Sequence, residues 1–139
     1  MANLKLRAGK SSELRIASEL IRLGIDVYIP CVDDQAIDLV IRKEVNGQPV
    51  YYDVQVKSVK GYNRIVGLSN IHQKGNNYIL IVHYRHETKP DEFYYLIKEQ
   101  IMKHWLSDSG WGDLVFNNPE RQLYASQDLK GLAKYLLEE

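Results

Sequence analysis

Asp38, Gln55 and Lys57 are the residues of this chain whose types and spacing suit them to chemistry. They belong to a stretch of alternating apolar and polar residues from Ala36 to Ser58, AIDLVIRKEVNGQPVYYDVQVKS, which is divided by Asn46-Gly47. That dipeptide accepts the positive φ angles of a two-residue hairpin turn, so the stretch reads as two antiparallel strands with Val45 facing Gln48 and Asp38 facing Gln55. Pro49, which has no N–H to give, falls in a facing pair that exchanges no hydrogen bonds, so the register loses no ladder bond. Asp38 and Gln55 form the same closer kind of pair, with Cβ atoms roughly 4.5–5.5 Å apart. Lys57 follows on the same strand and face. A hard divalent cation such as Mg²⁺ takes one or two carboxylates and keeps several waters, and a lysine beside it can orient or deprotonate an attacking water. The chemistry such a group would perform is hydrolysis of a phosphodiester. A solvated strand face also shows alternating polar residues, and that reading requires no function.

The hairpin has two unlike faces. Ile37, Leu39, Ile41, Tyr52, Val54 and Val56 make the core side, and Asp38, Val40, Arg42, Tyr51, Asp53, Gln55 and Lys57 make the other. Ahead of it, Ser11 or Ser12 is read as the cap of a helix running to about Leu23, with Gly24 as its stop. Ile16, Ala17, Leu20 and Gly24 line one face of this helix, and Glu13 shares that face. An acid at the head of an apolar stripe either interacts with the positive helix terminus near the rim of the core or is aimed at a site. The ten residues before Ser11 read as a frayed end, a dimer arm or a phosphate-contacting segment. Ile25 to Pro30 reads as a strand, and Asp33 and Asp34 as solvated loop acids.

These residues resemble the motif of the PD-(D/E)XK nuclease superfamily, the restriction-endonuclease-like fold. The likeness rests on Asp38 in Ala36-Ile37-Asp38-Leu39-Val40, on Gln55-Val56-Lys57 as the (D/E)-x-K strand, and on Glu13 in Gly9-Lys10-Ser11-Ser12-Glu13 as the helical acid. It covers Ala8 to about Val82. Ile37 stands where the motif has proline, and Gln55 where it has its second acid; a neutral carbonyl should hold a metal less tightly than a carboxylate. The resemblance implies an α/β (α+β) domain with an αβββ core and a mixed sheet flanked by helices, acting as a Mg²⁺-dependent endodeoxyribonuclease, with Mn²⁺ as a substitute. Asp38, Gln55 and the Val56 carbonyl would hold the metal, Glu13 would reach it through a water, and Lys57 would orient the nucleophile. The small size looks most like the archaeal-type Holliday junction resolvases and mobile-element nucleases, and it implies DNA as partner and a homodimer. The alternative is a catalytically inactive module that kept the fold and binds nucleic acid or a protein.

Beyond Lys57 the chain is rich in Gly and Asn. Lys60, Tyr62, Arg64 and Lys74 there, with Lys10 ahead of the first helix, are the candidate nucleic-acid contacts. The resemblance places a helix in this connection, whereas the residues show at most a short one. Tyr78 to Tyr84, YILIVHY, reads as a buried strand and Glu92 to Ile97 as its hairpin partner. Lys98 to Leu106 reads as a short helix. Ser126 caps a last helix to about Leu137, with Leu129, Leu132, Ala133, Leu136 and Leu137 as its stripe. The four histidines read as non-ligands, and no serine or cysteine dyad suited to nucleophilic catalysis stands out.

Composition bounds the rest. A length of 139 residues, 45% hydrophobic and 26% charged, fits one domain over 1–139 with a substantial core. The formal net charge is zero, which argues against indiscriminate coating of nucleic acid. Residues 1 to 74 nevertheless hold 11 Lys and Arg against 8 Asp and Glu, so the half with the candidate site is mildly basic. A single cysteine, Cys31, rules out an internal disulfide and multi-cysteine zinc sites, and is expected to be packed. No apolar run approaches the roughly 18 residues of a membrane span and no phosphate-cradling glycine loop is present, so the expectation is a cytoplasmic protein with no membrane contact and no organic cofactor.

Overall fold

A computed structural model describes residues 4–31, 37–60, 65–67, 77–97, 113–115 and 129–137. Its centre is the hairpin. Strands β2 (Leu39–Val45) and β3 (Gln48–Lys60) pair in the expected register, from Val45 opposite Gln48 to Leu39 opposite Val54, with Pro49 opposite Glu44. Asn46 and Gly47 between them have φ of 54° and 79°, the pair of positive values that matches the twist of the flanking strands. Strand β1 (Asp26–Tyr28), shorter than expected, adds to β2 on its outer side.

Strand β5 (Tyr78–Arg85) lies parallel to β3, and β6 (Glu92–Ile97) returns antiparallel to β5. The result is a mixed five-stranded sheet in the order β1-β2-β3-β5-β6, so the α+β class holds. Parallel neighbours need a long crossover. Within it lies the short strand β4 (Ile65–Gly67), which pairs with β7 (Asp113–Val115) in a second, two-stranded sheet that the sequence did not announce.

Helix α1 (Leu4–Arg22) is longer than expected. Residues 4–10 are helical rather than frayed, and Ser12 lies inside the helix rather than at its cap. The C-terminal end is as predicted: Gly24 takes φ of 93°, its N–H reaches the Ile21 carbonyl at 3.0 Å, and the Ile25 N–H reaches the Leu20 carbonyl at 3.0 Å. This pairing uses the left-handed residue to satisfy orphan carbonyls, and buried Ile25 packs in the same core as Leu20.

Helix α2 (Lys130–Leu137) shares the sheet face covered by α1, and the Tyr95 hydroxyl donates to the Gly131 carbonyl at 3.4 Å. Ile16, Ala17 and Leu20 of α1 and Leu132, Ala133 and Leu136 of α2 close over Leu39, Ile41, Val54, Ile79, Ile81, Phe93 and Tyr95. Leu137, expected in that stripe, is exposed, as is Cys31. On the opposite face Leu80, Val82, Tyr84, Tyr94 and Leu96 form a second buried cluster. The sheet is therefore buried on both sides at β5 and β6, as the unbroken apolar run of β5 requires, and more polar and exposed on its second face along β1, β2 and β3. No helix among the described residues is long and apolar enough to cross a membrane. The helix expected over Lys98–Leu106 lies outside the described residues, as does Ser126; α2 nevertheless begins at Lys130, after Leu129 with φ of 65°, so Ser126 is not its cap.

Candidate metal site and a buried relay

The ladder between β2 and β3 changes character just before Leu39. The Asp38 amide donates to the Val54 carbonyl at 2.8 Å, and Asp38 Oδ2 accepts the Val56 N–H at 2.7 Å. In a continued ladder the Val56 N–H would bond the carbonyl of Ile37, opposite it in the register. The carboxylate stands in for that carbonyl and ends β2. The expected non-hydrogen-bonded pair of Asp38 with Gln55 does not form, because the Asp38 N–H turns toward β3 instead of away from it. Asp38 is thus more than the half-exposed polar-face residue expected from alternation, and alanine there is not structurally neutral.

Amide and carbonyl groups alternate sides along a strand. Val54 turns its carbonyl to β2, and Val56 turns its N–H the same way, so the Val56 carbonyl also points toward the Asp38 side. Gln55 and Lys57 project from the face opposite Val54 and Val56. Both are half-buried, and Gln55 Oε1 is fully shielded with no hydrogen-bond partner among the described residues. A buried amide oxygen without a donor is costly. An oxygen-seeking cation would satisfy it, so the donor set of a carboxylate, an amide oxygen and a main-chain carbonyl fits a hard divalent ion. Among the described residues no three His, Cys, Asp or Glu side chains converge; the candidate set is oxygen-rich but carboxylate-poor.

Glu13 lies on α1, which covers the other face of the sheet. Its carboxylate is 3.1 Å from Lys10 Nζ, and its side chain is 15% exposed. Lys10, a candidate nucleic-acid contact, is 59% exposed and engaged in that ion pair. No hydrogen bond or ion pair joins Glu13 to Asp38, Gln55 or Lys57 among the described residues. The Lys60 side chain and Tyr62, Arg64 and Lys74 lie outside the described residues, as do Asp33 and Asp34. Asp53, which alternation had placed on the polar face without a role, stands two residues before Gln55 on the same face. Burial raises its carboxyl above the ordinary value, and burial together with Asp53 raises the hydroxyl of Tyr78 across the ladder.

A second polar group departs from the sequence reading. Ser12 Oγ is 2.7 Å from His83 Nδ1, and His83 Nε2 is 2.7 Å from Asp91 Oδ2. Arg15 Nη1 donates to the same Asp91 oxygen at 2.9 Å, and the His86 N–H donates to Asp91 Oδ1 at 3.0 Å. Ser12 is 2% and His83 4% exposed, and the imidazole stacks on Phe93. Burial pulls the imidazole below its ordinary value, against the opposing pull of Asp91. Burial pushes the Asp91 carboxyl up, but the His86 N–H, His83 and Arg15 outweigh it and leave it below its usual value. An ionised Asp91 only accepts, so neutral His83 carries its proton on Nε2 and Ser12 donates to Nδ1. This is a serine–histidine–aspartate chain where none was expected, but its serine is sealed from solvent. The only sequence sign of it is a serine on the buried side of a helix and a histidine inside an apolar strand.

The lowered His83 value sets a direction for stability. A depressed folded-state value contributes stability that is complete above the unfolded value of 6.5 and is lost as pH falls toward the folded one. Chemical denaturation between pH 7.5 and 5 should show stability falling below about pH 6.5, by at most about 1.4 kcal/mol per pH unit for this one proton. His83→Phe should flatten that slope.

No protein-family model, curated protein or solved structure matches the chain.

Proposed function

We propose that this chain is a Mg²⁺-dependent endodeoxyribonuclease of the restriction-endonuclease-like type, with Mn²⁺ able to replace Mg²⁺. The observation that carries the reading is the Gln55 amide oxygen, buried without a partner among the described residues and next in sequence to the Val56 N–H that Asp38 accepts. Asp38, Gln55 and the Val56 carbonyl would hold the ion. When bound, it supplies Lewis-acid polarisation of a phosphoryl oxygen and lowers the pKa of a coordinated water.

The chain's own residues do the rest. Lys57, two residues beyond Gln55 on the same face, orients the attacking water and adds positive charge beside the scissile phosphate. Glu13 accepts a hydrogen bond from a second water on the helix side. Lys10, Lys60, Tyr62, Arg64 and Lys74 contact the DNA backbone, and a homodimer would cut both strands.

A second reading has its own support. Asp38 already serves a main-chain N–H, a role that an inactive, nucleic-acid-binding module of the same fold would also keep. Cleavage of supercoiled plasmid, linear duplex, single strand and four-way junction in Mg²⁺ or Mn²⁺, with an EDTA control, separates the two. Metal-dependent cutting is the expected result, and preference for the junction would support a resolving enzyme. Binding without cutting on every substrate would leave the module.

A further inference from the structure

We propose that Ser12, His83, Asp91 and Arg15 are positioning residues that fix the rotation of α1 so that Glu13 is presented to β3 beside Val56; this rests on the nuclease reading of the site. The argument is geometric. Apolar contacts are non-directional, so Ile16, Ala17 and Leu20 hold α1 on the sheet without setting its rotation closely. The two hydrogen bonds from α1, Ser12 to His83 on β5 and Arg15 to Asp91 just ahead of β6, are directional and lie 2.7 and 2.9 Å long. The Arg15 guanidinium also sits 5.2 Å over the Phe93 ring of β6.

At about 100° per residue, Ser12 stands about 60° round the helix from Arg15, and Glu13 about 160° in the same sense. Arg15 faces the β6 side and Ser12 faces β5. The next strand in the sheet order is β3, and Glu13 is turned that way. His83 is opposite Ser58 in the parallel register, two residues beyond Val56. The clamp therefore sits level with the end of β3 where β2 has stopped and Asp38 takes the Val56 N–H. At that point the sheet plane is bordered by a carboxylate rather than a paired strand, with Gln55 on one face of β3 and α1, which carries Glu13, on the other.

A double-mutant cycle on the full chain, read by calorimetric titration with MnCl₂ alone, tests the assignment. Glu13→Gln should weaken Mn²⁺ binding about tenfold, and Ser12→Ala, which retains the Glu13 carboxylate but frees the rotation of α1, should weaken it to a similar extent. In the Ser12→Ala background, Glu13→Gln should then cost less than about twofold, because the carboxylate is no longer presented. His83→Phe, which keeps the ring stacked on Phe93, should behave as Ser12→Ala does. Equal losses from Glu13→Gln in every background, or none in any, would overturn the positioning role while leaving an Asp38-dependent ion intact. No Mn²⁺ binding by the unaltered chain would overturn the nuclease reading and this role together.

Discussion

Asp38→Ala should remove metal-dependent cutting and also cost about 1 kcal/mol of stability, because it strands the part-buried Val56 N–H that the carboxylate accepts at 2.7 Å. Asp38→Asn separates the two effects. Its amide oxygen can still accept that N–H, so stability should change by less than about 1 kcal/mol. The charge that would hold the cation is gone, and losing about 3 kcal/mol or more of transition-state stabilisation lowers the rate about a hundredfold or more. Parallel denaturation and cleavage measurements on the two variants check this. An alanine variant as stable as the parent would contradict the hydrogen-bond assignment, and an asparagine variant that still cuts would remove Asp38 from the chemistry.

Gln55→Glu should destabilise the chain without metal and gain more stability from Mg²⁺ than the parent does. Without metal, a carboxylate in place of the buried, partnerless amide oxygen meets an unfavourable desolvation, so in EDTA the variant should be less stable than the parent and its carboxyl pushed upward in pKa. With Mg²⁺ the added charge should tighten binding about tenfold, and the ion should return stability in proportion to its occupancy. Thermal melts in EDTA and at millimolar Mg²⁺ read both halves. A variant indifferent to Mg²⁺ would show that Gln55 faces no cation.

The parts of the fold legible in the sequence are those set by short-range rules. Asn46-Gly47, the position of Pro49 and the alternation of Leu39, Ile41 and Val54 all act within one hairpin, and its register came out as read from Val45–Gln48 to Leu39–Val54, though not at the pair expected between Asp38 and Gln55. The continuous apolar run of β5 and the left-handed Gly24 were legible for the same reason. The start of α1 was not. Two adjacent serines imitate a cap, yet the hydroxyl of Ser12 is claimed by His83, 71 residues away. That partnership exists only because β5 crosses over to lie parallel to β3, which no local signal in α1 reports. The candidate site divides along the same line. Asp38 meets Val56 within the hairpin, with Gln55 and Lys57 on either side of it along β3, whereas the placement of Glu13 depends on how a helix lies on a distant strand. Even within the hairpin, alternation could place Asp38 near Gln55 but could not show the carboxylate turning back to end the ladder.

The most direct test of the cation site is calorimetric titration of MgCl₂ into the intact, metal-stripped chain and into its Asp38→Asn variant. A single saturable site in the parent, at least about tenfold weaker in the variant, is the predicted result. Heat that is absent from both, or saturable and equal in both, would contradict a cation held by Asp38 and Gln55.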